Sequence, residues 1–291
     1  MASIFPKTGT GAQDGAISDA ARLHTPQALP RQTAEDAEAR RLGLTCYARA
    51  AFFVHRYLTA SADELPPVDA VTRVVETLVD LSETQRAALL SLTIAHGEAD
   101  YLVFHHVNAM LMAIAFAREL GLQRSQIRDV GLLALLHGVG GARLPRDLID
   151  HPGALNDAAR ACLERLPGET MLQIFREKSA STVALRRIVL SEELCRPHAT
   201  ARRDDKGVLL DLAPAAPRGV YAELISICCA FDALRSKRPY RAAWRAEDAM
   251  LLMWSELRER FDADLLKVFM RVMLVEPIKL QGKMASTLRI G

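Results

Sequence analysis

The chain has 291 residues, of which 50% are hydrophobic and 25% charged, a globular composition. Its 37 basic and 35 acidic residues leave a net charge of +2, against a general polyanion binder, and 5% aromatics leave little for base stacking, so no nucleic acid is expected as partner. No stretch reaches the ~18 apolar residues that a membrane helix needs, Met1–Gly11 carries no apolar segment of signal-peptide length, and the five cysteines form no CxxC pair. The expectation is reduced thiols, no membrane span and a cytoplasmic location.

Residues 1–33 are rich in Gly, Ala, Thr, Gln and Pro without helical period and read as a tail. Thr33 followed by Glu35 and Asp36 suits a helix start, since first-turn acids complement free backbone N–H groups. Leu42, Leu44, Tyr47, Ala51, Val54 and Leu58 then recur at helical spacing. Pro66 and Pro67 break the chain. A second helix is predicted over 69–95, broken near Ser82, with Val71, Val74, Leu78, Leu81, Leu89, Leu90 and Leu92 on its buried side. Further helices are predicted near 98–120, 125–138, 155–177, 180–194, 219–236, 245–260 and 262–274. Gly121 and Gly138–Gly141 punctuate them. Gly138–Gly153 and Cys195–Gly219 read as loops, with Arg202, Arg203, Asp204 and Asp205 a solvated charge cluster; Gly207–Leu212 is the one strand-like run. The fold class is all-α: an N-terminal helical region over 34–97, a larger helical domain over 98–275, and a tail over 276–291.

The histidines carry the first chemical signal. His105 and His106 lie inside an apolar helical segment, and His137 ends the apolar run Val130–His137. A histidine on an apolar helix is more often a core residue with its hydrogen bond satisfied than a ligand. Two successive helices that each bring one are a stronger signal, because imidazole is a common metal ligand.

Four stretches resemble the HD-GYP family, helical phosphodiesterases of the HD superfamily that hydrolyse cyclic di-GMP. Tyr101-Leu-Val-Phe-His105-His-Val-Asn108 is similar to Y-x-x-x-H-S-x-N-V. Leu135-Leu-His137-Gly-Val-Gly-Gly-Ala-Arg-Leu-Pro145 is similar to L-L-H-D-I-G-K-x-x-I-P. Pro152-Gly-Ala-Leu155 follows as in K-P-G-x-L. Phe231-Asp-Ala-Leu-Arg-Ser-Lys-Arg-Pro-Tyr-Arg241 is the most specific match, to F-D-A-L-T-S-x-R-P-Y-R. The resemblance implies an HD-GYP-like helical bundle, a cluster of two or three metals, and a place in bacterial signalling.

The departures from that pattern shape the functional expectation. His105 and His137 fall on family metal ligands. The bridging aspartate of the HD pair is Gly138, and the lysine that acts near the substrate phosphate is Gly141. The next ligand histidine aligns with Leu166, the H-H-E stretch with Glu192-Glu193-Leu194, and the late aspartate ligand with Cys229. No G-Y-P tripeptide stands in Cys195–Gly219. Two-metal hydrolysis needs cations ~3.5–4 Å apart with anions between them. Loss of the bridge and of most ligands therefore leads to the expectation of a pseudo-enzyme with no catalytic residues and no cofactor. Against this stands a single Zn, Mn or Fe ion on His105, His137, Glu192 or Glu193, and Cys229, all metal-capable side chains. That arrangement would make the chain a metal-dependent phosphodiesterase with a rearranged site. The bland alternative is a metal cavity filled by smaller side chains, with Cys229 a buried hydrophobe. The adjacent Cys228 and Cys229 are poorly placed to bridge.

A basic run, Arg235, Lys237, Arg238, Arg241 and Arg245, is interleaved with Tyr240 and Trp244. Guanidinium forks suit phosphate oxygens, so Arg235, Lys237, Arg238 and Arg241 are candidate contacts to a cyclic dinucleotide. The structural alternative, which is favoured, pairs the arginines with helix C-termini or with acids such as Asp232. The resulting expectation is a degenerate HD-GYP-like protein that acts by binding a signalling protein or sensing a ligand. The N-terminal helices would offer a partner surface or a homodimer face.

Overall fold

The computed structural model describes residues 34–60, 64–93, 101–139, 199–203, 209–214, 219–237, 242–255 and 261–273. The two terminal tails, the helices predicted at 155–177 and 180–194, Gly141, Leu166, Glu192, Glu193, Arg238 and Arg241 all lie outside the described residues.

The fold is all-α, with one small antiparallel hairpin among the described residues. Helix α1 spans Ala34–Thr59, α2 Val68–Thr84 and α3 Arg86–Leu90. Helix α4 spans Tyr101–Glu119 and α5 Arg124–Leu136. After the hairpin come α6, Val220–Arg235, α7, Ala246–Ser255, and α8, Ala263–Val272.

Local chemistry sets the ends of these helices. Pro66 and Pro67 stop α1 from running into α2, and the buried Tyr57 fixes the turn by donating to the Pro66 carbonyl at 2.7 Å. The break expected near Ser82 falls at Gln85, whose backbone leaves the helical region (φ −125°, ψ 38°). Gly121 closes α4 in the left-handed region (φ 72°), where glycine carries no Cβ penalty. Its N–H bonds to Arg118 O at 2.9 Å, and the Leu122 N–H reaches back to Ala117 O at 3.1 Å. These two bonds form a Schellman end that satisfies the last carbonyls. Asp262 caps α8 by accepting from the Asp264 and Leu265 N–H groups, each at 2.9 Å.

Helix α4 is the hub, in contact with α1, α2, α3, α5, α6 and α8. Every residue from Val107 to Ala117 is buried. A helix that is apolar all round must sit inside, because it has no polar face to give to water. One continuous hydrophobic core runs from Cys46 on α1 through α2, α4, α5 and α6 to Val272 on α8. The N-terminal helices therefore share the core of the helices that follow.

Two expectations need correction. On α1 the buried face is Gly43, Cys46, Tyr47, Ala50, Val54 and Tyr57, whereas Leu42 and Leu44 are exposed. Apolar size alone put those leucines inside. The small Gly43, Cys46 and Ala50 define the stripe instead, because they let neighbouring helices approach α1. The segment read as a charged loop holds strand β1, Ala199–Arg203, paired with β2, Leu209–Pro214. The pairing sets Ala199 opposite Pro214 and Arg202 opposite Asp211. Only β2 overlaps the strand-like run. Ala-Thr-Ala-Arg-Arg has no apolar alternation, so its pairing comes from the partner strand and not from its own pattern.

Candidate metal centre

Three helices bring the chemistry together. On α4, His105 and Asn108 lie three residues apart and share the face turned to α6. On α6, Cys229 and Asp232 have the same spacing and look back. His137 is the C-cap of α5. The ring centroids are 5.4 Å apart for His105 and His137, 4.7 Å for His106 and His137, and 5.6 Å for His105 and His106. Nitrogen atoms of His105 and His137 and the Cys229 sulfur lie within 4.8 Å of one another. Cys229 Sγ is 3.4 Å from His137 Nε2. His105 and His106 form a floor only 1% exposed, while His137 and Cys229 are partly buried.

The hydrogen bonds fix how each imidazole presents itself. His106 Nδ1 donates to Leu102 O at 2.5 Å, and His137 Nδ1 to Ala134 O at 2.7 Å. A carbonyl can only accept, so in both rings the proton sits on Nδ1 and Nε2 keeps its lone pair. His105 Nδ1 lies 2.7 Å from Asp232 Oδ2. The other Asp232 oxygen accepts from Asn108 Nδ2 at 2.8 Å, and Asn108 Oδ1 accepts from the Tyr47 hydroxyl at 3.2 Å. A polar chain thus runs from α1 through α4 to α6 and ends on the His105 ring. His105 Nε2 and His106 Nε2 are buried without a hydrogen-bond partner. Such orphans are rare, since each forfeits its hydration without compensation.

Burial disfavours the charged forms of His106, His137 and Cys229. Burial, and then the neighbouring His105, lower His137 to about 4. Burial, then His137 and His105, hold His106 well below the ordinary imidazole range. Burial first, and the Asp232 charge second, push the Cys229 thiol above its usual range. Cys229 and His137 therefore sit as thiol and imidazole, not as the thiolate–imidazolium pair of an activated nucleophile.

Gly138 explains itself by space. It has no positive φ that would call for glycine. A Cβ built there would lie 2.5 Å from His106 Nε2, far inside van der Waals contact. His106, which stands where the resembling motif has serine, thus occupies the room in which the HD aspartate would start. The described residues do not fit a carboxylate-bridged pair of metals, because the bridging position is glycine and its space holds an imidazole.

Of the residues singled out from sequence, His105, His137 and Cys229 converge. Cys228 faces the core fully buried, and both vicinal cysteines are free thiols. In the basic run, Arg235 lies over the Phe231 ring, 5.7 Å from its centroid, while Lys237 and Arg245 are exposed. Asp232 gives its two oxygens to His105 and Asn108, while Arg238 and Arg241 lie outside the described residues. The cavity that Arg235 lines with Asn108, Phe231 and Asp232 measures about 10 Å³, room for a water and far too little for a dinucleotide. Sequence reading missed Asp232 as the partner of His105, and His106 as the occupant of the bridge. The signals were present, in the aspartate of F-D-A-L and in a second histidine at a serine position.

No family model matches the chain. It is 27% identical over 271 residues to a cyclic di-GMP phosphodiesterase of Pseudomonas aeruginosa, covering 91% of this chain and 63% of that protein. It is 24% identical over 221 residues to a 3'3'-cGAMP-specific phosphodiesterase of Vibrio cholerae, covering 75% of this chain and 47% of the relative. The chain thus spans between about half and two thirds of the length of these curated relatives. A solved HDG"Y"P protein from Bdellovibrio bacteriovorus aligns over 81% of this chain and 69% of its own, at 16% identity and a TM-score of 0.49.

Proposed function

We propose that the chain, which is similar to cyclic di-GMP and 3'3'-cGAMP phosphodiesterases, is a catalytically degenerate HD-GYP-like protein. It acts in cyclic-dinucleotide signalling by binding a signalling protein or a ligand, and not by hydrolysis. The observation that carries this reading is the His106 ring in the space of a Gly138 side chain. In-line hydrolysis by paired metals needs an anion between the cations to offset their repulsion, and an imidazole nitrogen is no substitute. No described helix is long and apolar enough to cross a membrane.

The test is turnover of cyclic di-GMP and of 3'3'-cGAMP by purified protein supplied with Mn²⁺ or Fe²⁺. We expect none. Turnover that disappears in His137→Ala would overturn the reading. One observation favours a second reading, a phosphohydrolase with a single rearranged metal. Three of the side chains it calls for, His105, His137 and Cys229, lie within 4.8 Å of one another, and the same assay with Zn²⁺ decides it.

A further inference from the structure

We propose that His105, His137 and Cys229 hold one soft, thiolate-ligated ion of the Zn²⁺ class, and that His106 keeps the site to a single ion. This differs in ligand type and nuclearity from the carboxylate-bridged cluster implied by the resemblance. It holds whether or not the chain hydrolyses a nucleotide.

The donors meet the demands of such an ion. Zinc takes imidazole nitrogens at ~2.0–2.1 Å and thiolate at ~2.3 Å, so two ligands on one tetrahedral edge stand about 3.5 Å apart. His137 Nε2 and Cys229 Sγ are separated by 3.4 Å. His105 Nε2 is buried with no partner, and a ring nitrogen of His105 belongs to the same 4.8 Å group. The rings are also held as metal-bound histidines are held. Each donates or presents Nδ1 to a carboxylate or a backbone carbonyl, which fixes the ring and directs Nε2 inward. Asp232 is thus a positioning residue acting through His105. Thiolate with imidazole selects zinc-like ions, whereas manganese prefers carboxylate, carbonyl and water. Binding replaces the thiol proton by the metal: the S–H proton leaves to solvent and the S–metal bond forms. Among the described residues three protein ligands meet, and a tetrahedral ion takes a fourth ligand beyond them, on the partly exposed side of His137 and Cys229. Among the described residues, the His106 ring stacks on His137 and fills the space at Gly138, the position from which a bridge to a second ion would start.

The test is metal uptake by untagged protein stripped with chelator. Zn²⁺ and Co²⁺ are titrated in, metal is counted per chain after desalting, and the Co²⁺ form is examined by optical absorption. We expect one ion per chain, intense tetrahedral d–d bands and a thiolate-to-cobalt charge-transfer band. Cys229→Ser should abolish the charge-transfer band. Asp232→Asn should keep the band and weaken affinity about 10–100-fold. The inference is overturned by substoichiometric uptake, by two ions per chain, by cobalt spectra without a thiolate band, or by a band that survives Cys229→Ser. If Cys229→Ser does not fold, the wild-type spectrum and Asp232→Asn still decide. These readouts are independent of turnover, so failure of the metal site and failure of the proposed function are distinguishable.

Discussion

Helix α4 has two halves that solve burial in opposite ways. From Ala109 to Ala117 it is wholly apolar and fully inside, and Phe116 there packs against Phe269 with ring centroids 5.3 Å apart. From Tyr101 to Asn108 the helix is only partly inside, with Leu102 48% exposed, yet it carries His105, His106 and Asn108 at 1–2% exposure. Apolar burial there would stabilise the fold at no desolvation cost, whereas buried polar groups need partners merely to break even. The N-terminal half finds partners for every Nδ1 and for Asn108, but leaves His105 Nε2 and His106 Nε2 unpaired. The contrast separates a segment closed by apolar packing from one that leaves two buried imidazole nitrogens without a hydrogen-bond partner.

Three measurements break or sharpen that contrast. The largest effect is expected from Asp232→Ala, which strips partners from His105 Nδ1 and Asn108 Nδ2 together. At ~1–3 kcal/mol for each stranded buried group, unfolding in denaturant should show a loss of about 4 kcal/mol. A loss near zero would mean that the polar half is not held by this network.

Next is acidification of the metal-free protein. Unfolded imidazoles take up protons near their ordinary 6.5, but folded His137 does so only near 4. The unfolded state therefore binds more protons in that window. Stability is fully present above about pH 6.5 and is lost as pH falls toward 4, on the order of 3 kcal/mol for His137. His106, lowered in the same direction, adds to the loss. Comparison with His137→Gln, which should flatten the slope, isolates the residue.

The smallest effect is a coupling. Gly138→Asp alone drives a Cβ against His106 Nε2 and should destabilise. In a His106→Ser background the same change should cost about 2 kcal/mol less, read from a double-mutant cycle. Additive effects would show that the two positions do not compete for one space.

Much of the molecule is legible in the chain itself. The helical period and the Pro66–Pro67 and Gly121 punctuation place α1, α2, α4, α5 and α6 within a few residues of their observed limits. These are local properties, written in neighbours three and four positions apart. His105, His137 and Cys229 were also legible, through motif spacing. The face of α1 was not, because the stripe is chosen by which helices must come close. Nor was strand β1, whose hydrogen bonds are supplied by a partner strand. The decisive detail belongs to tertiary structure alone. Glycine at 138 reads in sequence as a lost ligand. Only the packing of α4 against α5 shows that His106 takes the room at that position, because the space for a side chain on one helix is set by the ring that a neighbouring helix puts there.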